Sequence, residues 1–120
     1  MAVPSFLLKK LYVKGSLRNT DSGFELALKN TLAPGTLIGL GPLTVDDVGY
    51  PPESITLTTP QGESRGNQIT SRSPQSFGLN TEVKINVQGQ PLTPGEHHVV
   101  FSVLTREVGR IEFDITDTLS

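Results

Sequence analysis

Glu82-Val83-Lys84-Ile85-Asn86-Val87 decides the fold class, because its apolar and polar residues alternate strictly. Successive side chains of a strand point to opposite faces, so Val83, Ile85 and Val87 share one face and Glu82, Lys84 and Asn86 the other. Two further stretches read the same way. Phe24, Leu26 and Leu28 alternate with Glu25, Ala27 and Lys29, and Ile111, Phe113 and Ile115 alternate with Arg110, Glu112 and Asp114. One buried and one wet face is the pattern of half-covered antiparallel strands. No stretch of ten or more residues carries the i, i+3, i+4, i+7 spacing of an amphipathic helix.

Working outward, Leu8–Lys14 reads as a strand with Leu11 and Val13 inward, and Ile55–Thr59 as a short one with Ile55 and Leu57 inward. His98–Thr105 is nearly continuous in apolar residues, which predicts a central strand covered on both faces by a sheet, a loop or a partner. The turn cluster Asn19-Thr20-Asp21-Ser22-Gly23 makes Leu11–Leu17 and Phe24–Asn30 a hairpin. Asp46-Asp47, between Leu43-Thr44-Val45 and Val48-Gly49, reads as the tip of another, since Asp side chains bond the local backbone. Arg106-Glu107-Val108-Gly109 joins the last two strands, and Gly62–Gly78 reads as a long mobile loop crossing between sheets. Turn signals recur roughly every ten residues, the spacing of a sandwich or barrel. The expectation is one all-β domain over residues 1–120, an antiparallel β-sandwich or flattened barrel of roughly seven to nine short strands. Residues 1–5 are expected to be a flexible N-terminus.

With 120 residues the chain is long enough for a hydrophobic core without staples. It has no Cys, which excludes disulfides and thiolate metal sites and fits a reducing compartment. Ten basic and 12 acidic residues are interspersed, giving a net charge of −2 and no basic stripe for nucleic acid or anionic lipid. No apolar run approaches the ~20 residues that cross a bilayer, and the N-terminus lacks a secretory pattern. The expected location is the cytoplasm.

The search for chemistry finds little. His97 and His98 are adjacent, so a strand sends them to opposite faces and they cannot jointly hold one metal. Glu96 and His98 share a face, a weak ligand pair. Glu96, His97, His98, Arg106 and Asp114 make the candidate polar site, and Tyr12, Tyr50, Val100 and Leu104 the candidate partner-facing residues. There is no Gly-x-Ser-x-Gly elbow and no phosphate loop. Four of the five Phe fall on or beside strand faces and belong to the core, and Trp is absent, which disfavours sugar-stacking and single-strand nucleic-acid platforms. No catalytic residue, metal or cofactor is expected.

The order of short segments resembles a known family. It runs Gly23-Phe24-Glu25-Leu26-Ala27-Leu28-Lys29-Asn30, Ile38-Gly39-Leu40-Gly41-Pro42-Leu43-Thr44-Val45-Asp46, Pro52-Glu53-Ser54-Ile55-Thr56-Leu57, Val83-Lys84-Ile85-Asn86-Val87 and Leu92-Thr93-Pro94-Gly95-Glu96-His97-His98-Val99. This looks like the small β subunit of bacterial C-glycoside deglycosidases. The resemblance implies a β-sandwich bound to a TIM-barrel catalytic subunit that carries the metal and the acid/base residues. The leading expectation is therefore a non-catalytic subunit supporting a sugar-processing partner. The alternatives are a structural homo-oligomer with no dedicated ligand, and a small enzyme using Glu96, His98, Arg106 and Asp114 at an oligomer interface.

Overall fold

The computed structural model of the protein describes residues 5–119. A short helix, α1 (Ser5–Leu8), runs into a 3-10 turn over Lys9–Leu11. Strands follow in the order β1 (Arg18–Thr20), β2 (Gly23–Lys29), β3 (Gly35–Leu40), β4 (Leu43–Val45), β5 (Val48–Tyr50), β6 (Ile55–Thr59), β7 (Gly62–Arg65), β8 (Gln75–Phe77), β9 (Glu82–Gln88), β10 (Gly95–Thr105) and β11 (Gly109–Leu119). They form two antiparallel sheets packed face to face, with no closed barrel. The first sheet is β1-β2-β9-β6-β7. In the second, β10 pairs with β11 along one edge and with β3 and β4 along the other, and β8 and β5 extend β3 and β4.

The three alternating stretches are β2, β9 and the middle of β11, and they bury the faces their apolar residues mark. Phe24 and Leu26 from β2, Ile55 and Leu57 from β6, and Val87 from β9 meet Val45 and Val99 from the other sheet, all almost fully buried. Phe101 and Phe113 stack with ring centroids 4.9 Å apart, and Tyr50 meets Phe24 edge-on at 5.2 Å. Phe24, Phe77, Phe101 and Phe113 are buried and Phe6 is exposed. Each large apolar side chain so removed from water contributes about 1.5–3 kcal/mol.

Close backbone approach explains two glycines. A Cβ at Gly23 would lie 2.0 Å from the carbonyl oxygen of Val87 on the neighbouring strand. One at Gly41 would meet Ser102 Oγ at 2.7 Å, where the Gly41 N–H donates to the Ser102 carbonyl and joins β3 to β4 along one edge of β10. At the tip of the β4–β5 hairpin, Asp46 and Asp47 take φ of 50° and 70°. These left-handed conformations are the ones a two-residue turn needs to match strand twist.

Four expectations change. Leu8–Lys14 is not a strand: Leu8 and Leu11 are buried three residues apart on a helical turn, and Tyr12 alone bridges to Leu28. The hairpin with β2 therefore uses only Arg18–Thr20, after a turn closed by the Ser16 N–H donating to the Val13 carbonyl. The stretch 62–78 does cross between sheets, but it contributes β7, a 3-10 turn at Gly66–Gln68 and β8, because Ser64, Gly66 and Phe77 find pairing or burial. The apolar run in β10 is not covered on both faces. His97, Val99, Phe101 and Thr105 are buried, while Val100 is half-buried and Leu104 is 38% exposed. The strand count reaches eleven because β1, β4, β5 and β8 are three-residue strands set by pairing rather than by pattern. Of the expected flexible N-terminus, residues 1–5, the first four lie outside the described residues, and Ser5 opens α1.

The contrast between the faces gives a test. Leu26→Ala should cost about 2–5 kcal/mol as a core cavity, whereas Leu104→Thr on the outer face should cost under about 1 kcal/mol. Urea unfolding of the two variants checks this.

Candidate functional site

Strand alternation separates the two histidines. His97 points between the sheets and is buried, and His98 points outward and is exposed. The His97 ring sits between two acceptors, with Nδ1 2.5 Å from Asp46 Oδ2 and Nε2 2.6 Å from the Thr93 carbonyl oxygen. An imidazole can donate from both nitrogens only when protonated, so this geometry calls for the imidazolium. The hydrogen bond to the Thr93 carbonyl, followed by that to Asp46, raises the His97 pKa. Asp46 is held below the usual carboxylate range, first by the His98 N–H donated to its Oδ1 at 2.9 Å and then by His97. The Asp46 N–H in turn donates to the His98 carbonyl at 2.9 Å. One carboxylate thus pins the tip of the β4–β5 hairpin to β10, and His97 also ties down the segment before β10.

Asp117 lies beside His97 in the β10–β11 register and is likewise buried. Burial opposes its charge. Hydrogen bonds outweigh that penalty and lower its pKa, the Tyr12 hydroxyl donating at 2.6 Å, then the N–H groups of Thr118 and Gly15. Burial, and then the anionic Asp117, push the Tyr12 phenol well above its ordinary value. Tyr12 is also 6.2 Å from Phe101, ring to ring. Tyr12 is half-buried, packs against the core and anchors the N-terminal segment. Tyr50 packs edge-on against Phe24 and is likewise half-buried. The other two expected partner-facing residues, Val100 and Leu104, lie on the outer face of β10.

On that outer face His98 Nε2 lies 2.7 Å from Asp114 Oδ2, and Lys9 Nζ is 3.7 Å from Asp114 Oδ1. The His98 hydrogen bond, then Lys9, keep the Asp114 carboxyl below its ordinary value. Glu96 is exposed on the same face. Arg106 is eight residues along from His98, roughly 26 Å at ~3.3 Å per residue, and its N–H donates to the Thr36 carbonyl. The five candidate polar residues therefore fall into three places: His97 inside, His98, Asp114 and Glu96 outside, and Arg106 at the far end of the strand. Among the described residues no three His, Asp or Glu side chains are placed to hold a metal ion. The partners of the two imidazoles among them are carboxylates and a backbone carbonyl. The polar residues here hold strands together.

Sequence reading missed two buried acids. Asp117 continues the inward alternation of Ile111, Phe113 and Ile115, so an acid at an inward position was the available signal. Glu25 is on the outer face of β2 yet only 6% exposed, covered by Arg18 opposite it at 2.5 Å and by Lys84 at 3.9 Å. Alternation alone places it in water, and only the cross-strand register reveals its cover.

Residues 7–120 match the family model described as the hydroxymethylglutaryl-CoA reductase N-terminal domain. The chain belongs to that family. No curated protein matches it. The family assignment overturns the likeness to the C-glycoside deglycosidase β subunit. The segments that carried that likeness are strands and tight turns: Gly23–Asn30 is β2, Thr44–Asp46 leads into a hairpin tip, and Leu92–Val99 is the entry to β10. Any antiparallel sandwich reuses these residue types at such places, so their order is weak evidence of kinship.

The His97 clamp makes stability depend on pH. His97 is raised above its unfolded value of about 6.5, so its contribution is complete below about pH 6.5 and is lost as pH rises through the folded-state pKa. Asp46 is depressed, so its contribution is present above about pH 4 and is lost as pH falls through its folded-state pKa. Stability should be greatest between these limits and decline on the alkaline side. His97→Gln should flatten the alkaline decline in urea unfolding run across pH, whereas His98→Gln should leave it in place.

Proposed function

We propose that the chain is a non-catalytic β-sandwich module that seats against a catalytic partner. The observation that carries this reading is the fate of the polar residues. The groups best suited to chemistry are either committed to strand clamps, as His97, Asp46, Asp117 and Tyr12 are, or spread over separate faces. The family's description, one domain of a reductase, also supports a part that works beside a catalytic unit. The sugar-processing, TIM-barrel character of the partner belonged to the deglycosidase likeness and goes with it. The partner to test first is a reductase catalytic unit acting on hydroxymethylglutaryl-CoA. The absence of Cys fits the cytoplasm as the place of work, and no helix among the described residues is long and apolar enough to cross a membrane.

The test is to purify the chain at native level from its source and to assay it alone. The expected result is no turnover of hydroxymethylglutaryl-CoA by the isolated chain, and stoichiometric co-purification with a reductase catalytic unit. Turnover by the isolated chain, or its elution as a free species, overturns the reading.

One observation favours self-association instead. β11 is eleven residues long and, among the described residues, pairs with a strand on one side only. A long one-sided edge is a template for pairing with a second copy. Sedimentation should then give a dimer that Glu112→Pro dissociates, and a monomeric wild-type chain excludes it.

A further inference from the structure

The space between the sheets is not completely filled. An apolar cavity of about 70 Å³ lies between them, several times the ~10–15 Å³ that one water needs. A second cavity of about 180 Å³ opens where the Asn30–Gly35 segment meets the β10–β11 turn. Leu11, Leu37, Phe77, Thr105 and Ile111 line both, so the two cavities lie against each other. Leu32 and Val108, 37% and 39% exposed, form an apolar rim.

The chemistry of the walls restricts the guest. Ser102 and Thr105 are the polar residues lining the inner cavity, and the side chains of both are already bonded. Ser102 Oγ accepts from Arg110, and Thr105 Oγ1 donates to the Gly109 carbonyl and accepts the Val108 N–H. No buried side-chain nitrogen or oxygen among the described residues lacks a partner. A polar guest, or water, would lose its hydrogen bonds inside and gain none. At the mouth the Asn30 amide donates to the carbonyls of Ala33 and Phe77 and accepts the N–H groups of Leu32 and Ala33. Those bonds hold the rim in place before any ligand arrives. Glu107 is the charged side chain at the mouth, its Oε1 accepting the Thr36 N–H at 2.9 Å.

We propose that the two cavities form a binding site for an aliphatic chain, the hydrocarbon lying between the sheets and an uncharged or cationic head group remaining at the mouth beside Glu107. The site lies apart from the histidine clusters and does not depend on the accessory-module reading. It gives the sandwich a ligand of its own.

Titration of methyl-labelled protein by NMR, with hexan-1-ol, hexylammonium and hexanoate as probes, tests this. Saturable shifts are expected at the methyls of Leu11, Leu37 and Ile111 with the alcohol and the ammonium. Hexanoate should bind about tenfold more weakly, since like charge at the mouth opposes it. Ala33→Trp, on an exposed rim position outside any strand, should abolish the shifts while leaving the fold intact. Val48→Trp, on the exposed β4–β5 hairpin, should leave them unchanged. An absence of saturable shifts at these methyls overturns the proposal, and so does hexanoate binding as tightly as the alcohol or undiminished binding in Ala33→Trp.

Discussion

The second sheet is built on β10. Its eleven residues bond to β11 along the whole of one edge, while β3 and β4 share the other. The remaining strands of that sheet, β5 and β8, attach through β4 and β3. The sheet therefore holds its shape only if β10 keeps its register, because a slip of one residue would exchange every inward side chain for an outward one. Val99 and Phe101 would leave the core, and His98 would enter it. The apolar alternation of β10 supplies most of the resistance to slipping. The Asp46 clamp adds a polar lock, holding the backbone of His98 and the ring of His97 at one position along the strand.

The parts of the fold that were legible in the sequence are those where one face is dry. β6, β9 and β11 announce themselves because water on one side and core on the other select alternating residues, and β2 keeps the alternation although its outer face is covered as well. The Asp46-Asp47 turn is legible for a different reason, since short polar side chains tolerate left-handed backbone. The short strands that escaped notice, β7 and β8, are four and three residues long, and their identity comes from a neighbour's unpaired backbone groups. The N-terminal turn misled because Leu8 and Leu11 fit a strand or a helix equally well over so short a span. The apolar run in β10 misled because a side chain on the outer face, such as Leu104, need not be covered to be tolerated.

The polar residues follow the same logic. The adjacent histidines were correctly separated by the strand period, but nothing in the sequence said that Asp46, some fifty positions earlier, would meet His97. The pairing follows from topology, since β4 lies beside β10 only once the second sheet has formed. Tyr12 and Asp117 meet for the same reason, across almost the full length of the chain. That contact closes the sandwich at one end, next to the clamp. The opposite end, around Leu32 and Val108, is tied by bonds of Asn30 and Glu107 to the backbone, and it is where the interior opens.

The junction at Gly41-Pro42 has a bearing on how such a domain can change over time. β3 and β4 lie in line along one edge of β10, and the break between them is bridged by a single N–H donated from Gly41 to Ser102. Each half of that edge carries its own outer strand, β8 on one and β5 on the other. A residue gained or lost at the break would shift one half against β10 while leaving the other anchored by Asp46. The break thus divides the sheet into two lanes, one carrying the clamp and one carrying the open end. Each lane can drift in length at its own outer loops without disturbing its neighbour.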